Sequence, residues 1–592
     1  MPLSVRYVVE PQELTAHKLH VRIEVAGVEK AREQLDFVMP VWSPGSYSIH
    51  ENARAVRGVE ARNGTGDALP VTKVSKNRWR VVPGGIDQMV FSYTVYGHES
   101  TSQGLDVTTD HIHLNAAHAL CYVDGTLTQP IEITIHPPDD WKVFTELSEI
   151  GRNPPRYRAK DFDELVDSPI EVGRPAEFTI QPAGVPHRLL FCGPVTDIPA
   201  HQVQEDLAKV VEATKQLFGL LPVSHYTFFY HLAEKWDGGL EHATSTSIVM
   251  PHDIFRPRKS YDEFLEVSSH EYFHLFNVKR IRPKVLGPFD YTQENYTHLL
   301  WLMEGGTEYY GNLLLRRSGL KTPKKYLDLI AKRVKDLRAI PGRLAQSLEE
   351  SSFDSWIDLC KPWEQSRNAS VSYYLKGELV TLCLDLEIRA RSGNAKSFDD
   401  VMRHLWREYG AKGIGMAENT LPAEIEQATG VDVTDLFRDY VSGKAELDLP
   451  RHLALAGLEL APEEKLEGKE DEEGPSAWLG VETENFDGLP RIRSVLDGSP
   501  ALRAGLSPGD ILVALGGMRL PAAKMGDVMK RFEPGEEATV TFFRLGRLRS
   551  VEAKLGKPPP EKWAFKPKAN PTELEKKILE SWLQCSWDDL PK

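Results

Sequence analysis

Apolar and polar residues alternate with a period of two through most of the first third of the chain, as in Leu19-His-Val-Arg-Ile-Glu-Val25 and Met89-Val-Phe-Ser-Tyr-Thr-Val95. Turn residues separate these runs, so residues 1–195 are expected to form an antiparallel β domain. After Pro199 the period lengthens. Val203, Leu207, Val210, Val211, Leu217 and Phe218 recur at helical spacing, and Tyr226-Thr-Phe-Phe-Tyr-His231 then reads as a strand. A second strand, Thr246-Ser-Ile-Val-Met250, offers an edge to which an extended peptide could add. Helical periodicity dominates from Tyr261 to about Lys444, which makes 196–460 a second, mostly helical domain. The charge run from Glu463 to Pro475 cannot bury much surface, so 461–475 is expected to be an acidic linker. A further domain follows over 476–557. Pro558-Pro-Pro560 then leads into a C-terminal tail, 558–592, with one amphipathic helix from Thr572 to Trp582.

A chain of 592 residues is too long for one core, in keeping with this multidomain α+β reading. The apolar fraction of 41% and charged fraction of 27% are those of a globular protein. A net charge of −15 argues against nucleic acid or an anionic membrane as a partner. No apolar run approaches the roughly 20 residues that span a bilayer, and the first ten residues lack the order of a signal peptide, so a cytoplasmic protein is expected. Cys121, Cys192, Cys360, Cys383 and Cys585 are scattered, odd in number and without Cys-x-x-Cys pairing, and read as ordinary reduced thiols.

Chemistry concentrates at His270-Glu271-Tyr272-Phe273-His274. Residues four apart share a helix face, so the two imidazoles can bind one metal while Glu271, one step round, reaches a water beside it. A chain of this length and composition should contain such a motif by chance only about 0.05 times. A hydrolytic zinc takes three protein ligands and keeps one position open. Two carboxylates compete for the third place. Glu294 sits in the polar stretch Tyr291-Thr-Gln-Glu-Asn295, whereas Glu304 lies in an apolar helical pattern. Glu308, one turn on, is placed to accept a hydrogen bond from a liganding histidine. The pattern favours Glu304.

Four separated motifs carry a resemblance: Gly238-Gly-Leu-Glu-His242; the His270–His274 motif running into Asn277-Val-Lys-Arg-Ile-Arg-Pro283; Trp301-Leu-Met-Glu-Gly-Gly-Thr-Glu-Tyr-Tyr310; and Tyr374-Leu-Lys-Gly377. In this order they resemble the gluzincin aminopeptidases, and among them the glycyl aminopeptidase family that carries a PDZ domain. The resemblance implies a thermolysin-like catalytic domain with one Zn²⁺ per chain. It gives Glu241 the substrate's free amine, makes Tyr374 the oxyanion donor, and implies a small first residue, glycine or alanine. Gly238–His242 departs from the commoner Gly-Ala-Met-Glu-Asn of these enzymes at three of five positions, keeping the first glycine and the glutamate. Trp478-Leu-Gly-Val481 and Gly498-Ser-Pro-Ala-Leu-Arg-Ala-Gly-Leu-Ser-Pro-Gly-Asp-Ile511 resemble a bacterial-type PDZ domain, whose carboxylate loop would be Leu479, Gly480 and Val481.

The expected function is a zinc aminopeptidase acting on peptides with a free N-terminus, with a C-terminal peptide as the ligand of the PDZ-like domain. A zinc endopeptidase with PDZ-recruited substrates is the rival among hydrolases. A PDZ scaffold with a vestigial metal site is the rival from another class. Every expected catalytic residue precedes the acidic run, so removal of 474–592 is expected to spare hydrolysis of short substrates.

Overall fold

The computed structural model describes residues 3–28, 33–194, 198–256, 258–463, 477–560 and 562–590. The chain divides into two compact units: Met1–Thr297 with Tyr310–Leu320 and Leu405–Ala417, and His298–Tyr309 with Lys321–His404 and Glu418–Lys592.

In the first unit the period-two pattern becomes one-sided burial. Leu19, Val21, Ile23 and Val25 point into the core from strand Lys18–Ala26 while the residues between them stay half-buried. This strand pairs antiparallel with Ser4–Glu13 and Gln88–Tyr96 inside an eight-stranded sheet. One pairing departs from the antiparallel expectation, because Ser4–Glu13 runs parallel to Ile131–Ile135. Two four-stranded sheets share the same core, where Phe37 stacks on Phe91 at 3.9 Å between ring centroids.

A separate five-stranded sheet follows, in the order Ala176–Ile180, His187–Cys192, Tyr226–Ala233, Ser245–Pro251, Gly238–Glu241. Its first two strands lie before residue 195, so the boundary expected there moves back to Ala176. A short alternating run reads alike in either sheet. Membership is decided by the parallel register of Leu189 opposite Phe228 and Cys192 opposite His231, which no local window contains. The expected peptide-pairing edge also moves. Ser245–Pro251 is paired on both sides, and the outermost strand is Gly238–Glu241.

The second unit is built round helix Tyr373–Arg391, buried on every side from Lys376 to Arg389. A helix with no exposed face must satisfy its polar side chains internally. Asp385 does so as a hub: it receives the Tyr309 hydroxyl at 2.7 Å, Arg389 Nε at 3.0 Å and the backbone N–H of Phe398 at 2.8 Å. The C-terminal helix Glu573–Leu583 starts at a capping box of Thr572 and Glu575, one residue from where the spacing places it. It is no loose tail. Fully buried Trp582 donates its indole N–H to the Tyr309 hydroxyl at 3.1 Å, and Trp563–Pro567 pairs antiparallel with Leu458–Pro462.

Between those two strands the chain forms a small β-rich domain with its own core, including Leu479, Ile492, Leu512, Val540 and Phe542. Reciprocal hydrogen bonds of 2.9 Å between Trp478 and Gly556 close it. Residues 464–475 of the expected linker lie outside the described residues. Among the described residues no helix is long and apolar enough to cross a membrane.

The expectation that everything after 474 is dispensable therefore needs correcting, because 563–583 belongs to the helical lobe. Trp582→Ala should cost about 3 to 5 kcal/mol of stability, as for other buried tryptophans. Chemical denaturation measures it. Excision of 477–556 alone keeps the Leu458–Pro462 strand pair and should leave hydrolysis of short chromogenic substrates largely intact. Loss of that activity in a folded excision variant would make the small domain part of the cleft.

Candidate active site

Helix Arg258–Phe273 delivers His270 and Glu271, and the N–H of His274 completes its last turn on the His270 carbonyl at 3.3 Å. The two imidazoles converge, with Nε2 of His270 and Nε2 of His274 3.0 Å apart. On the other side of the His274 ring, Nδ1 lies 2.6 Å from the Asn277 carbonyl oxygen, which can only accept. The ring proton therefore sits on Nδ1, and Nε2 presents its lone pair toward His270. Two imidazoles on one zinc place their nitrogens roughly 3 to 3.4 Å apart, so the pair fits that ion.

Three close approaches hold this helix. A methyl at Gly239 would overlap the Glu271 carboxylate, so the glycine lets strand Gly238–Glu241 pass directly beside it. Thr246 Oγ1 lies 3.3 Å from Glu271 Oε2 and 3.0 Å from the Leu240 carbonyl oxygen. On the helix's opposite flank a Cβ at Gly311 would come within 3.1 Å of the His270 backbone, and Ser269 Oγ donates to the Gly311 carbonyl at 2.8 Å.

Strand Gly238–Glu241 also carries the buried Glu241. The Pro44-Gly45 turn of the first domain lies against it. A Cβ on Gly45, whose φ is +93°, would sit 2.9 Å from both Glu241 carboxylate oxygens. The loop from Trp42 to Tyr47 thus borders a cavity of about 560 Å³ with Tyr47, Glu241, Lys279 and Phe289 among its walls. The contact of this loop with Glu241 is a product of tertiary packing. The basic run after helix Arg258–Phe273 is held by partners within the first unit. Lys279 reaches Asp167 at 2.6 Å, and Arg280 donates to the carbonyls of Ala243 and Leu275. Burial would raise the Asp167 carboxyl, but Lys279 and His242 bring it down to about 2, so it stays ionised and holds the Ala243 N–H at 2.9 Å behind Glu241.

In the second unit, Glu304 is buried in a single π-helical turn, Trp301–Gly305, at the head of helix Gly306–Arg317. Such turns recur at functional sites because they re-aim a side chain. Gly305 and Gly377 let this turn meet helix Tyr373–Arg391 backbone to backbone, with a Cβ on Gly305 falling 2.6 Å from the Gly377 Cα. Tyr373 is buried and Tyr374 is half-exposed, so of the adjacent tyrosines Tyr374 is the accessible one. Glu308, expected to orient a histidine, forms an ion pair with Arg333. The competing Glu294 lies in an irregular segment, off any helix.

In the small domain, Leu479 is buried and its carbonyl accepts from Ala501, while the Gly480 carbonyl accepts from Leu496. Gly480 has φ +80°, and Val481 opens strand Val481–Phe486 at the end of its sheet.

Comparison with known proteins agrees with this architecture. One family model, the Peptidase M61 N-terminal domain, matches residues 6–174, and a second, M61 glycyl aminopeptidase, matches residues 263–380. The chain belongs to this family. The match ending at 174 coincides with the start of the five-stranded sheet at Ala176. The crystal structure of an aminopeptidase N family protein from Idiomarina loihiensis is 28% identical, superposes with a TM-score of 0.89, and covers 98% of this chain and 100% of its own. Yeast LTA4 hydrolase superposes with a TM-score of 0.46 at 10% identity, over 75% of this chain and 68% of that one. No curated protein matches in sequence. As a member of this family the protein is a peptidase.

Proposed function

We propose that the protein is a zinc-dependent aminopeptidase that removes the first residue from peptides with a free amine. The convergence of the two Nε2 atoms, with the His274 tautomer set by the Asn277 carbonyl, carries this reading. His270, His274 and Glu304 are the proposed ligands. Glu304 is the buried carboxylate of the π-helical turn Trp301–Gly305, in the apolar helical pattern that favoured it over Glu294. Bound zinc would supply Lewis acidity, lowering the pKa of a coordinated water toward ~7 and polarising the substrate carbonyl.

Glu271, beside the histidines and walled by Gly239 and Thr246, takes a proton from the attacking water and returns it to the leaving amine. Tyr374 donates a hydrogen bond to the oxyanion, a contact worth roughly 3 to 4 kcal/mol in comparable enzymes. Glu241, at the end of an outermost strand along which an extended peptide can pair, meets the α-ammonium. Glu308 is proposed to orient a liganding histidine. The first residue is proposed to be small, glycine or alanine, glycine being the one that the family's description names. For the small domain we propose PDZ-type capture of a peptide C-terminus at Leu479, Gly480 and Val481.

Metal analysis with paired variants tests the ligand set. Glu304→Ala should strip zinc from the hydrolytic centre while Glu294→Ala leaves it nearly unchanged. The reverse result would transfer the third place to Glu294.

A further inference from the structure

We propose that His111, Glu171, Cys192 and His231 form a second, structural zinc site, made of none of the residues assigned to hydrolysis. Their ligand atoms all lie within 4.8 Å of one another. They come from two strand pairs in different sheets of the first unit. His111 and Glu171 stand on the antiparallel neighbours His111–Leu114 and Ile170–Gly173. Cys192 and His231 are register partners on the parallel strands His187–Cys192 and Tyr226–Ala233. An ion held by all four would fasten the N-terminal β domain to the five-stranded sheet of the catalytic domain.

The donors suit zinc in kind and number. A thiolate, two imidazoles and a carboxylate make a closed four-ligand set with no position left for substrate, the pattern of a structural site. Charges balance as well. Zn²⁺ against Cys192 thiolate, Glu171 carboxylate and two neutral imidazoles sums to zero, which buried groups require. The Cys192 thiol proton and the proton that Glu171 and Asp106 otherwise hold on the His111 ring both leave to solvent on binding. Glu171 is fully buried, and Cys192 and His231 are 4% and 5% exposed. His231 Nε2 lies 3.0 Å and His111 Nδ1 2.9 Å from the Glu171 oxygens.

Two further observations point to an ion. Nδ1 of His231 is buried without a hydrogen-bond partner, as is Nε2 of His113, the ring that also faces Glu171 at 3.3 Å. Buried polar atoms left in that state cost free energy unless something else engages the cluster. Behind His111, Asp106 Oδ2 lies 3.6 Å from Nε2, where a carboxylate would hold a liganding imidazole in orientation. The residues are far apart in sequence and form no short metal motif, so only the fold assembles them.

Metal content and cobalt substitution decide it. The purified parent should hold about two zinc ions per chain. His270→Ala with His274→Ala should retain about one, and adding Cys192→Ser or His231→Ala should remove that one. Replacement of zinc by Co²⁺ should give a near-ultraviolet thiolate-to-cobalt charge-transfer band in the parent and in the His270→Ala, His274→Ala protein, and none in Cys192→Ser. The hydrolytic centre contains no thiol, so the band reports this cluster alone, and the parent spectrum is decisive even if the Cys192 variant misfolds. The proposal fails if the cobalt parent shows no such band, or if the parent's only zinc is lost with His270 and His274. In that outcome the cluster is an ion-paired hydrogen-bond network. A single zinc that survives loss of both histidines, with the band intact, would instead uphold this site and overturn the hydrolytic one.

Discussion

Glu271→Gln should leave zinc bound at the hydrolytic centre and reduce turnover by roughly a hundred- to ten-thousand-fold, the usual contribution of a positioned general base. The substitution is nearly isosteric, which matters at this position. The carboxylate is packed against Gly239 and within 3.3 Å of the Thr246 hydroxyl, so a bulkier or shorter replacement would disturb the strand as well as the chemistry. Glutamine fills the same space and cannot take a proton from water. Glu271 is assigned no place among the ligands, so atomic absorption should find the parent's metal content alongside collapsed kcat. Zinc loss in step with activity would make Glu271 a ligand. Near-normal turnover would remove it from the reaction.

Glu241→Gln should separate exopeptidase from endopeptidase chemistry with a residue outside the metal motif. Its carboxylate is only 5% exposed and the Pro44-Gly45 turn covers it, so a charge-assisted contact with the substrate α-ammonium would be made largely out of water. Such contacts are worth about 1.5 to 3 kcal/mol, which corresponds to a 10- to 150-fold loss in kcat/KM on free-amine dipeptide substrates, approximately. Acetylated substrates lack the charge. They should be poor for the parent and no poorer for the variant, with zinc content unchanged. Equal cleavage of free and acetylated peptides by the parent, or a proportional loss of both in the variant, would overturn the aminopeptidase reading.

Sequence alone determined the features that live in a short window. Four-residue spacing put His270 and His274 on one helix face. Period-two runs marked strands such as Lys18–Ala26, and amphipathic spacing marked the terminal helix from Thr572 to Trp582. Each is a matter of backbone period, which neighbouring residues settle among themselves. The choice of Tyr374 over Tyr373 rested on motif resemblance, and burial now distinguishes the two.

Only the tertiary structure decided what depends on partners distant in the chain. Ala176–Cys192 joins the five-stranded sheet because it finds Tyr226–Ala233, although its alternation would suit either domain. Gly45 meets Glu241, Gly239 meets Glu271 and Gly311 meets His270 through missing side chains, and a glycine's reason for being small is visible only once its neighbour is known. The Asn277 carbonyl that fixes the His274 tautomer belongs to the backbone and has no residue signature. Trp582 reads as one aromatic on an amphipathic helix until it is found bonded to Tyr309. His111, Glu171, Cys192 and His231 looked like unrelated polar residues for the same reason: their proximity is created by strand register and sheet packing, which specify contacts that sequence spacing does not encode.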